Sequence, residues 1–106
     1  LIILNHKNVV VRIKDISFGG TNFAVISPKE VLSEAVKTES PKIILVHNHP
    51  SGDSKPSKDD YRITDRIYEC ADIMGIELLD HIVIGDGTYE SILMGKEKWK
   101  KWTYLA

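Results

Sequence analysis

Two histidines one residue apart, His47 and His49, are followed by Ser57 and then Asp60. In an extended segment the side chains at i and i+2 point the same way, so both imidazoles can be presented to one point. Asp60 falls about one turn into an apparent helix start, near enough along the chain to swing back over that point. Two imidazoles and a carboxylate make three protein ligands for Zn²⁺ and leave the fourth tetrahedral position for water. Water held there has its pKa drawn toward neutrality and becomes a nucleophile. The same residues also have a purely structural reading, with Ser57 capping the helix and Asp60 completing a capping box. An isolated His-x-His pair is a weak signal, so on residue types alone the two readings stand side by side.

The elements around these residues favour convergence. Residues 42–46 form a continuous apolar run after Pro41 and read as a strand buried on both faces, in the centre of a sheet. His47 and His49 sit at its exit, where ligands commonly bind in α/β sheets. The loop to Pro56 holds prolines and a glycine, and a long helix follows from Ser57 to about Met74, with Ile63, Ile67, Cys70 and Met74 on one face and Gly75 as its stop. Residues 1–4 and 9–13 read as strands about an Asn5-His6-Lys7-Asn8 turn, and residues 23–26 as a short third strand. Ser27-Pro28-Lys29-Glu30 opens a helix whose apolar stripe is Val31, Leu32, Ala35 and Val36. Residues 76–84 and 89–93 are strands joined by Gly85-Asp86-Gly87. The order implies helices packed on a mixed sheet.

Composition removes several alternatives. A chain of 106 residues, 42% hydrophobic and 27% charged, has room for a single domain with one small core. The net charge of −1 lacks the basic excess that nucleic-acid binding calls for. The tail at residues 95–102, with lysines around Trp99 and Trp102, could stack on single strands or pack as an amphipathic segment. No apolar run reaches membrane-span length. Cys70 is the single cysteine, which excludes an internal disulfide and a zinc deaminase with its cysteine pair; a cytoplasmic location is expected. His81, beside Asp80, is expected to be a hydrogen-bonded histidine of the sheet, the alternative being a group that supports a metal-bound histidine.

His47-x-His49, seven residues, Ser57, two residues, Asp60 is the metal-binding signature of the JAB/MPN (JAMM) metalloprotease superfamily. The wording around it, from His47-Asn48-His49-Pro50-Ser51-Gly52-Asp53 through Leu78-Leu79-Asp80-His81-Ile82-Val83-Ile84-Gly85, closely resembles the RadC branch. The resemblance implies a single α/β domain with a mixed β-sheet and helices on both faces, an α/β/α fold akin to cytidine deaminases. It implies zinc on His47, His49 and Asp60, Ser57 positioning an oxyanion, and a peptide or protein as substrate. RadC proteins usually carry a helix-hairpin-helix region ahead of this domain, which agrees with a chain that opens directly on a strand, as a domain cut from a longer protein would. The family has been labelled as DNA repair proteins. One departure concerns the glutamate with which JAMM hydrolases take a proton from water. Aligning Lys7-Asn8 and Gly19 with the family pattern puts Lys14 at that position, and a cationic lysine accepts no proton near pH 7. Asp15 is adjacent and becomes the candidate base if a bulge turns it inward. Two expectations follow: a zinc metallohydrolase, or a catalytically impaired, metal-stabilised interaction module associated with DNA processing. A homo-oligomer is compatible with either.

Overall fold

The computed structural model describes residues 1–16 and 27–93. The strand expected at residues 23–26 and the lysine–tryptophan tail lie outside them. Within them the elements are β1 (Ile2–Leu4), β2 (Val10–Ile13), α1 (Pro28–Lys37), β3 (Lys42–Asn48), α2 (Lys58–Ile73), β4 (Glu77–Ile84) and β5 (Tyr89–Ser91). The strands form one mixed sheet in the order β2-β1-β3-β4-β5. β3 and β4 are parallel and joined through α2, while the other neighbouring pairs are antiparallel.

Local chemistry explains the joints. The Asn5 side chain accepts from the Lys7 and Val9 amides and so closes the β1–β2 turn. Ser27 caps α1 by accepting from the Glu30 amide, with Pro28 in the first turn. α2 runs into Gly75, whose φ of 74° an L side chain would strain. No helix among the described residues is long and apolar enough to cross a membrane.

Ile3, Ile43, Leu45 and Leu78 on the sheet meet Val31, Leu32 and Ala35 of α1 and Ile63, Ile67 and Ala71 of α2 in one core. The α/β class and the mixed sheet are those the sequence implies. The two described helices, α1 and α2, share this core and touch each other, so both lie against the same face of the sheet. β3 is accordingly not buried on both sides: Ile43 and Leu45 are buried, while Ile44 and Val46 on the other face are half-buried. Val36 and Met74, assigned to apolar stripes, are about half exposed, and Ala71 takes the inward place on α2.

Candidate metal centre

Strand alternation puts His47 on the same face as Ile43 and Leu45, toward α2. Beyond β3 the His49 amide still donates to the Ile84 carbonyl at 2.9 Å, which holds the chain extended for one more residue and keeps His49 beside His47. The loop then docks on the β4–β5 turn, where the Asp86 amide donates to the Gly52 carbonyl at 2.7 Å. Gly85 is needed for that approach, because a Cβ there would stand 2.3 Å from the same carbonyl oxygen. The His49 ring is fixed through Nδ1, 2.8 Å from the Asp53 carbonyl. A carbonyl only accepts, so Nδ1 carries the proton and Nε2 keeps a lone pair.

Asp60 comes from the first turn of α2. The Ser57 amide donates to Asp60 Oδ2 at 2.7 Å, and the Asp60 amide donates to Ser57 Oγ at 3.1 Å. This is a complete capping box. It leaves the carboxylate facing the histidines, with Oδ1 3.0 Å from His47 Nε2 and Oδ2 3.0 Å from His49 Nε2. The two Nε2 atoms are 3.2 Å apart. Burial alone would raise the Asp60 pKa. The hydrogen bond with His47, the Ser57 amide and the charge of His47 outweigh that, and hold the carboxyl well below its usual range.

His47, His49 and Asp60 form a group able to hold a metal ion. Tetrahedral ligands about 2.0 Å from zinc stand about 3.3 Å from one another, close to the 3.0–3.2 Å separations here. With Nδ1 protonated, an Nε2 atom has no hydrogen to offer the carboxylate. The packing of lone pairs then calls for a positive charge, either a proton on a ring or a metal ion among the three. The donor set fits the ion.

Behind His47 stands His81, fully buried, its Nε2 2.8 Å from His47 Nδ1. A β-bulge puts it there. Ile43 pairs with Leu78 but Ile44 pairs with Asp80, so β4 gains one residue against β3. Alternation from Leu78 would turn Asp80 inward; the extra residue turns His81 and Val83 inward instead. Asp80 then binds backbone: its Oδ1 accepts from the His81 and Leu93 amides, and Ser91 Oγ donates to Oδ2. Burial and the neighbouring His47 push the His81 pKa down to about 3, so the ring is neutral.

A profile of the RadC-like JAB domain family matches residues 1–99. The chain is 53% identical over 92 residues to a UPF0758 protein of Clostridium acetobutylicum. It belongs to the RadC-like JAB domain family. It is also 50% and 52% identical, each over 98 residues, to UPF0758 proteins of Clostridium tetani and Clostridium botulinum strain Alaska E43. These matches cover 87% to 92% of this chain and 40% to 42% of the relatives. The chain thus spans about two fifths of the length of the curated relatives it matches.

Within this RadC-like domain, His47, His49 and Asp60 come together, and Ser57 joins them as the cap of α2. Lys14 and Asp15 do not. Lys14 Nζ lies 3.4 Å from Glu34 Oε1, a buried carboxylate that Arg12 and Lys37 also approach. Burial would raise the Glu34 pKa, but Lys14 and the other two cations hold it below the usual range. Asp15 is exposed and follows β2, outside the converging donors. The sequence pattern offered no sign of Thr64 as part of the site. Its hydroxyl touches His81 Nδ1, and the one available cue was its position one helical turn after Asp60.

Proposed function

We propose that the domain is a zinc-dependent hydrolase that cleaves an amide bond, peptide or isopeptide, in a peptide or protein substrate. The convergence of His47, His49 and Asp60 at the exit of β3, in a RadC-like JAB domain, carries this reading. Those three residues hold the ion, which when bound supplies Lewis acidity and a nucleophile at neutral pH. Ser57 Oγ accepts from the Asp60 amide with a lone pair, and its hydroxyl hydrogen can be donated to a developing oxyanion. Asp15 is retained as the candidate proton acceptor, since it adjoins the position read as the family's glutamate.

A second reading is favoured by the pairing of Lys14 with Glu34 and by the exposure of Asp15, which is not among the converging donors. In it the domain is a catalytically impaired module, stabilised by its metal, that docks a protein partner in DNA processing. Elemental analysis of the purified chain together with an amide-hydrolysis assay separates the readings. One zinc per chain, lost in Asp60→Asn, with chelator-sensitive cleavage supports the hydrolase. Zinc without turnover on peptide and isopeptide substrates supports the docking module. A chain that takes up no zinc at any ratio defeats both.

A further inference from the structure

The hydrogen bonds behind His47 run in one direction. The Thr64 hydroxyl has a single hydrogen and donates it to the Asp60 carbonyl at 2.6 Å. Toward His81 Nδ1 its oxygen therefore acts as acceptor, which places the His81 proton on Nδ1. His81 Nε2 then keeps a lone pair, and the 2.8 Å contact to His47 Nδ1 is satisfied only by a hydrogen on His47. In the neutral ring the His47 lone pair then lies on Nε2, the atom 3.0 Å from Asp60 Oδ1. The chain of contacts starts at the Asp60 backbone and returns to the Asp60 side chain.

We propose that His81, seated on Thr64, is a positioning residue that fixes His47 as the Nδ1–H tautomer and aims its Nε2 lone pair at the metal; this rests on the metal-centre reading above. Thr64 and His81 are both 0% exposed, so water does not replace a lost partner there cheaply. Thr64→Val keeps the shape of the side chain and removes the acceptor. His81 is then better off carrying its proton on Nε2 and donating to His47 Nδ1. His47 must move its own proton to Nε2, where it blocks the ligand lone pair. Outer partners of metal-bound histidines are worth about tenfold to hundredfold in affinity.

Two measurements on the full chain test this. Long-range ¹⁵N–¹H spectra of histidine-labelled, metal-free protein at pH 8 report each ring's tautomer. Zn²⁺ titration against a competing chelator reports affinity. The expected wild-type result is Nδ1–H on both His47 and His81. In Thr64→Val, His47 loses its Nδ1 hydrogen and Zn²⁺ binds about tenfold to hundredfold more weakly, and Thr64→Ser keeps both as in the wild type. A purely structural role for Thr64 would lower the melting temperature and leave the tautomer alone. A wild-type His47 without a hydrogen on Nδ1, or a wild-type His81 protonated at Nε2, overturns the proposal without any variant, as does a folded Thr64→Val with unchanged tautomer and affinity. If the wild type takes up no Zn²⁺, the metal-centre reading fails, while the metal-free tautomers still decide the relay.

Discussion

Acidifying the metal-free protein from pH 7.5 to 5 should cost folding stability through His81. The unfolded chain protonates this imidazole at its ordinary value of 6.5, while the folded ring resists until about pH 3. Between those values the unfolded state binds more protons, so stability is complete above about pH 6.5 and falls as pH drops toward 3. The penalty grows roughly tenfold in the folding equilibrium per pH unit, or about 2 kcal/mol between pH 7.5 and 5. That is a large share of the roughly 5–15 kcal/mol available to a small domain. Asp60 works in a different window. Its depressed pKa contributes stability above 3.8 and loses it only at lower pH, so it is silent in this range. The assay is urea unfolding at several pH values with chelator present, on wild type and His81→Gln. The variant will be less stable at pH 7.5 but with a shallower acid slope, the difference being the His81 contribution. An identical slope in the two proteins would refute the assignment of a buried, neutral His81.

Other perturbations probe the loop, the metal and the β2 end. Gly85→Ala forces a methyl against the Gly52 carbonyl, so it should cost about 1–3 kcal/mol by urea unfolding and weaken Zn²⁺ binding by displacing the His49 loop. Gly87→Ala meets no neighbour within 4 Å and strains only its own φ of 69°; it should lower stability about 1 kcal/mol and leave Zn²⁺ binding unchanged. Zn²⁺ at about a thousand times its Kd should stabilise the chain by about 4 kcal/mol, a melting shift that chelator reverses and His49→Ala abolishes. Lys14→Glu sets a second carboxylate against Glu34, so it should destabilise the fold by calorimetry without improving amide hydrolysis; a gain in turnover would show that this position does reach the centre.

What the sequence revealed, and what it hid, follows from the range of the forces involved. The His47–His49 pair and the Asp60 turn were readable because strand and helix periods are local, and so were β3, α2 and both caps. The side of the sheet on which each helix packs depends on contacts between distant segments. The same holds for the exact inward stripe of a helix: spacing alone puts Val36 and Met74 inside, and the structure leaves both about half exposed. The His81 position depends on a single extra residue in β4 opposite Ile43 and Ile44. Nothing in Leu78-Leu79-Asp80-His81 betrays a bulge, and plain alternation from Leu78 turns the wrong residue inward.

The two readings of Ser57 and Asp60, helix cap and metal site, are one arrangement. A carboxylate has about four lone-pair sites. The Ser57 amide uses one of them on Oδ2, which fixes the side-chain rotamer and points the remainder away from the helix axis. The cap therefore aims the ligand, and its cost in conformational entropy is met by helix initiation before any ion arrives. His47 is held by His81, and His49 by the Asp53 carbonyl in the same sense. All three donors are thus set by hydrogen bonds from outside the centre. A group of donors held in this way has little freedom left to lose if a metal ion enters it.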